Sequence, residues 1–170
     1  MSFEEIERLL QLCRQSGIKL RTAESCTAGA VAATLASVAG ASDVLDRGWV
    51  TYSNQAKMDE LGVAMDILVK YGAVSEPVVR AMAEGGVNQQ ENTCCIGISG
   101  IAGPSGGSSE KPVGTVWMAV SCPKQGVQTK KFLFQGDRMQ IQAQAVAAAV
   151  DFLLCVLTNN KGANELSGLA

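Results

Sequence analysis

The sequence predicts a three-layer α/β/α sandwich built on a mixed β-sheet. Three observations predict it. Short apolar, strand-like runs alternate with helical patterns as far as residue 99. Two longer strand-like runs then follow one another, joined by "PKQG", which reads as an antiparallel hairpin and not another crossover. The 170 residues show no internal repeat and no linker rich in Pro or Ser. They suit one domain, taken as 1–158, with a polar, flexible tail over 159–170.

The elements follow in order. Ser2 and Glu5 make a capping box, and Phe3, Ile6, Leu9, Leu10 and Cys13 recur at helical spacing until Gly17 stops the helix. Ile18 to Thr22 reads as a strand. Ala28 to Val38 reads as a helix whose small residues suit close packing on a sheet, ended by Gly40. Gly48 to Tyr52 is a second strand. Asn54 then caps a helix reaching Leu61, with Gly62 behind it. Ser75 caps another, with Pro77 in its first turn, running to about Gly85. Thr93 to Ser99 is a third strand, followed by a glycine-rich loop from Gly100 to Ser109. Gly114 to Ser121 and Gln128 to Phe134 form the hairpin, and Asp137 opens a last helix to about Leu157.

Composition excludes several classes. The formal charge is −2 and the lysines are scattered, so no positive field draws the chain to nucleic acid. The acidic, amphipathic "MSFEEIERLL" is not a signal peptide, and no apolar run approaches the ~20 residues of a membrane span. There is no histidine, and none of the six cysteines has C-x-x-C spacing. No metal is therefore expected. Cys94 and Cys95, adjacent in a strand, should point to opposite faces of the sheet. The cysteines are expected to be buried free thiols in a reducing cytosol.

Ligands in such folds sit beyond the carboxyl ends of strands. Three loops qualify: "AESCT", "YSNQAK" and "GISGIAGPSGG". In the first, Ser25 reads either as a helix cap or as a nucleophile at a strand-to-helix turn. If Thr27 caps the helix, Ser25 is free to face the crevice, and N–H groups near Cys26 and Thr27 can hold an oxyanion. Cys26 is a rival nucleophile, because a helix N-terminus lowers a thiol pKa.

Without histidine, a Ser-His-Asp triad is impossible, and Ser-Lys is the known alternative. Lys57 would occupy the third position of its helix, where the dipole and any burial both favour the neutral amine a general base requires. Tyr52 could relay or donate a proton between the two. The competing reading is a solvated surface lysine and a core tyrosine. In the third loop, Gly100, Gly103, Gly106 and Gly107 let backbone N–H groups approach an anion, or simply make a flexible connection. Thr115, at the start of the next strand, could line the same pocket.

The stretches "TAESCTAG", "GWVTYSNQAK", "GAVSEPVV", "GISGIAGPSGGSSEKPVGTVW" and "QGDR" occur in that order. Together they resemble the C-terminal domain family of the competence/damage-inducible protein A, over about residues 5 to 155. Stand-alone members of that family are nicotinamide-nucleotide amidases. The resemblance implies hydrolysis of nicotinamide mononucleotide to nicotinate mononucleotide and ammonia in the recycling of pyridine nucleotide into NAD synthesis. It implies no cofactor and no metal, and a catalytic set of Ser25, Tyr52 and Lys57.

The 5′-phosphate of such a substrate would meet the glycine-rich loop with Arg138 or Lys111. A cytoplasmic homo-oligomer with a small-molecule nucleotide substrate, and with no nucleic-acid or membrane partner, is expected. Longer relatives carry an N-terminal nucleotide-processing domain, and that activity is not expected here. One departure stands out: the family usually reads "ESCTGG", and Ala28 replaces the first of those glycines. The alternative function is a non-catalytic nucleotide-binding module of the same fold.

Overall fold

The computed structural model describes residues 2–122 and 125–166, with side chains described as far as residue 159. Helix α1, Phe3–Ser16, has the expected capping box. Gly17, at φ 63°, closes it with an N–H donated to Cys13 and Arg14 carbonyls. The apolar stripe Ile6, Leu9, Leu10 and Cys13 is buried, as the helical spacing requires.

Strand β1, Lys19–Glu24, follows, then helix α2, Ala30–Ala36, and strand β2, Leu45–Val50. Next come three helices, α3 at Asn54–Leu61, α4 at Met65–Tyr71 and α5 at Glu76–Val87. Strands β3, Thr93–Gly100, β4, Thr115–Cys122, and β5, Gly126–Leu133, precede helix α6, Arg138–Leu166. The turn "PKQG" lies partly outside the described residues.

The sheet has the order β2-β1-β3-β4-β5. β1 runs parallel to β2 and β3, while β4 and β5 continue antiparallel, so the mixed sheet is the expected one. One face carries Leu20, Ile96, Ile98, Met118 and Val120 against the apolar sides of α1, α2 and α6. The other packs Ala23 and Cys95 against Leu61, Leu68, Val78 and Met82. A Cβ at Gly97 would lie 2.6 Å from the Val79 carbonyl, so the glycine lets α5 approach β3 closely.

Four expectations need correction. Helix α2 begins at Ala30, not Ala28, because Ala28 and Gly29 adopt φ of 52° and 92°, outside helical space. Ser53, not Asn54, caps α3, its hydroxyl accepting from the Ala56 N–H. Helix α4 was unforeseen: Ala64 precedes it and provides no side-chain cap, so the sequence carries no start signal. Helix α6 runs past the expected end at Leu157, to Leu166.

Two further corrections concern cysteine and the membrane. Cys94 and Cys122 form a disulfide and are not free thiols. Cys95 pairs with Ser121 in the β3–β4 register, which sets Cys94 directly opposite Cys122 with Cα atoms 4.3 Å apart. Cys13, Cys26 and Cys95 are buried free thiols, while Cys155 is free but exposed. Cys94 and Cys95 do face opposite sides of the sheet. Among the described residues, one helical stretch, Arg138–Asn159, has the length and apolarity to cross a membrane, and half of its most apolar 18-residue window is buried. Its inward positions Ile141, Ala145, Ala149 and Leu153 belong to the core under the sheet. Gln and Asp interrupt this run in the sequence, which hid its overall apolarity.

Candidate active site

Ser25 stands one residue beyond β1. Its N–H donates to the Ile98 carbonyl at 3.0 Å, which extends the β1–β3 ladder and fixes where the chain leaves the sheet. A tight turn follows, with the Ala28 N–H donated back to the Ser25 carbonyl at 3.1 Å. Ser25 lines a cleft of about 220 Å³ together with Cys26, Tyr52, Gly100, Gly103, Gly106 and Arg138.

The turn is held from below by a residue the sequence reading missed. Glu24, fully buried at the end of β1, accepts from the Thr27 hydroxyl at 2.7 Å. It also accepts from the N–H groups of Gly29, Val31 and Ala32 at 3.0, 3.1 and 2.9 Å. A carboxylate at a helix N-terminus satisfies orphan donors and meets the positive end of the helix dipole. Glu24 therefore caps α2, and Thr27, one of the candidate caps, instead donates to Glu24. Glu24 takes neither the Cys26 nor the Thr27 N–H. The only sequence signal was a carboxylate at a strand end, which usually means an exposed residue.

Lys57 comes to Ser25 from the first turn of α3. Its side chain is buried, with only 1% of the residue exposed. Its Nζ lies 3.2 Å from Ser25 Oγ and 2.7 Å from the Thr51 carbonyl oxygen. Among the described residues no carboxylate forms an ion pair with it. Burial pushes the Lys57 pKa below the ordinary lysine value. A buried amine with only neutral oxygen partners is poised to lose its proton. Cys26 goes the other way from the helix-terminus expectation: burial pushes its thiol up to about 12. Of the two rivals in the turn, the hydroxyl contacts the amine, and the thiol is held protonated.

Tyr52 is half exposed at the mouth of the cleft, where its hydroxyl accepts from Arg138 Nη2 at 2.6 Å. Since Lys57 and Ser25 touch directly, no relay between them is needed. Arg138, the first residue of α6, also donates to the Gly103 carbonyl at 2.8 Å. It bridges the second and third loops across the opening. Gly107 and Thr115 are not brought to the cleft. A Cβ on Gly107 would meet the Val113 backbone N at 2.8 Å, and Thr115 is buried in the β4–β5 ladder opposite Leu133. Lys111 lies elsewhere, its Nζ donated to the Tyr71 carbonyl in a larger cleft of about 490 Å³. That cleft holds no paired nucleophile and base.

The model of the CinA C-terminal domain family matches residues 4–157. The chain is 49% identical over 147 residues to a CinA-like protein of Syntrophobacter fumaroxidans, covering 86% of this chain but 34% of that protein. It thus spans about a third of the length of such relatives. It is 46% identical to the nicotinamide-nucleotide amidohydrolase PncC of Escherichia coli K12, covering 86% of this chain and 89% of that one. The fold is similar to a crystal structure of a CinA superfamily protein from Klebsiella pneumoniae, with TM-score 0.86 and 38% identity over 92% of this chain and 97% of that one.

Proposed function

The chain belongs to the CinA C-terminal domain family, and from that premise we propose that it is a nicotinamide-nucleotide amidase with Ser25 as nucleophile and Lys57 as base. The observation that carries the reading is the 3.2 Å contact between Lys57 Nζ and Ser25 Oγ, with Ser25 lining a cleft that Arg138 also lines. A mere nucleotide-binding module has no need of a buried lysine against a serine hydroxyl.

Neutral Lys57 takes the Ser25 proton as Oγ attacks the carboxamide carbon. The carbonyl oxygen, now negative, meets the N–H groups of Cys26 and Thr27. The amide C–N bond breaks, the Lys57 ammonium returns its proton to the leaving nitrogen, and ammonia departs. Water then gives a proton to Lys57 and attacks the acyl carbon. The acyl C–O bond to Ser25 breaks, and Ser25 regains its proton. The net change is nicotinamide mononucleotide plus water to nicotinate mononucleotide plus ammonia, with no redox step.

A cleft of this size takes the pyridine carboxamide and leaves the sugar phosphate toward the mouth. There the Arg138 guanidinium lines the cleft with Gly103 and Gly106. Tyr52 orients Arg138 by accepting its hydrogen bond, and its own O–H can donate into the cleft. We assign the activity to pyridine-nucleotide recycling in the cytoplasm.

Ammonia release from nicotinamide mononucleotide, followed by a coupled assay, tests the reading. Stoichiometric ammonia and nicotinate mononucleotide are expected. Tight binding of the nucleotide without ammonia would sink the enzyme reading in favour of a binding module.

A further inference from the structure

The turn that carries Ser25 is also held by α6. Gln142 of α6 donates its side-chain amide to the Cys26 carbonyl at 2.7 Å, across 116 positions of sequence. Gln142 is partly buried and does not line the cleft, so it does not reach a ligand there. It sits four residues after Arg138, on the same face of α6. One helix face therefore supplies both the cation at the mouth and a donor at the nucleophile turn.

The acceptor matters because a peptide unit is planar and trans. The carbonyl of Cys26 and the N–H of Thr27 belong to one such plane and point in opposite directions. A donor fixed on the Cys26 oxygen fixes the direction of the Thr27 N–H. Glu24 clamps the next stretch, taking the Thr27 hydroxyl and the N–H groups of Gly29, Val31 and Ala32. The Cys26–Thr27 peptide is thus pinned between α6 and Glu24, and Glu24 does not take its N–H.

We propose that Gln142 is a positioning residue that aims the Thr27 N–H at the oxyanion formed when Ser25 attacks an acyl carbon. The proposal rests on the reading of Ser25 as nucleophile. Deleting an oxyanion-hole donor outright costs about 10²–10³ in kcat, so loosening one donor should cost less, about tenfold.

The test compares the whole chain with Gln142→Met, which keeps the length and loses the donor, and Gln142→Lys, which keeps a donor. Two reactions are followed. One is ammonia release from nicotinamide mononucleotide. The other is the burst of p-nitrophenolate as Ser25 Oγ takes the acetyl group of p-nitrophenyl acetate and Lys57 takes the Ser25 proton.

Gln142→Met should lower kcat and the burst rate together by about tenfold. KM, Tm and the acidic limb of the pH profile should be unchanged, and Gln142→Lys should recover most of the loss. A Gln142→Met enzyme with wild-type kcat and burst overturns the proposal. So does one whose losses follow Tm alone. A wild type that is acetylated but releases no ammonia, with the burst still falling in Gln142→Met, upholds the positioning role and fails only the substrate assignment. A wild type showing neither reaction overturns both.

Discussion

Lys57 Nζ and Ser25 Oγ are 3.2 Å apart, and the lysine that makes this contact is almost wholly buried without a carboxylate partner among the described residues. Burying a charge without a counter-ion is costly. That burial shifts the amine toward its neutral form, the form a general base for a hydroxyl needs. The second contact, to the Thr51 carbonyl, fixes the direction of Nζ without adding negative charge that would raise its pKa.

Lys57→Arg and Lys57→Met should be almost equally damaging. Arg retains the charge but cannot be deprotonated in a protein. The loss expected for a missing general base is roughly 10²–10⁴ in kcat. Rescue by Arg would show that the position supplies charge only. The pH profile gives an independent reading. The active form is the free amine, so kcat/KM should rise as pH rises through the Lys57 ionisation, and burial sets that rise below the ~10.4 of free lysine.

Stability should follow the same ionisation. With the folded pKa below the unfolded one, the unfolded chain binds more protons between the two values, so wild-type stability rises with pH across that window. Tm of the wild type relative to Lys57→Met should climb there. A flat difference would contradict the shifted lysine.

Ser25→Ala should abolish turnover while the fold persists, because it removes one oxygen at the turn just beyond β1. Cys26→Ala should keep most activity, since burial holds that thiol protonated at about 12. A dead Cys26→Ala enzyme beside an active Ser25→Ala enzyme would reverse the assignment.

The Ser25–Lys57 pair of the candidate site was legible in the sequence because the absence of histidine left few alternatives. With no histidine, a serine at a strand end had few bases to choose from, and "TYSNQAK" offered the lysine. The cap was misread by one residue because Ser53 and Asn54 are equally good caps. What the sequence hid depends on strand register and on long-range contacts. Cys94 and Cys122 pair only once β3 and β4 are aligned, and periodicity cannot set that alignment. Glu24 and Gln142 read as ordinary polar residues. Their roles appear only when α2 is built over one and the nucleophile turn is brought to the other.

Gly106→Val should raise KM more than it lowers stability. Gly106 lines the cleft at φ 90°, a region that a β-branched residue resists. A Cβ there meets only Ile101 Cγ2 at 3.7 Å, so the side chain has room and the strain falls on the loop that lines the cleft. An unchanged KM would remove this loop from the nucleotide site.

Ala28→Gly should stabilise the protein. Ala28 sits at φ 52° between the nucleophile turn and α2, where an L residue bears about 1–2 kcal/mol of left-handed strain. Glu24 and its hydrogen bonds hold it there. The Ala28 side chain is exposed, so removing its methyl group forfeits no core packing. Glycine relieves the strain but loses about 0.4–1 kcal/mol through the greater freedom of the unfolded chain. The strain is the larger effect, leaving a net gain of about 0.5–1 kcal/mol. A domain of this size should gain about 1–4 °C in Tm. Ala28→Val is the opposing control: a β-branched residue at this φ should be less stable than wild type and should displace the turn, lowering kcat. Thermal unfolding of the three proteins decides the matter. A glycine variant less stable than wild type would mean that the alanine is not strained.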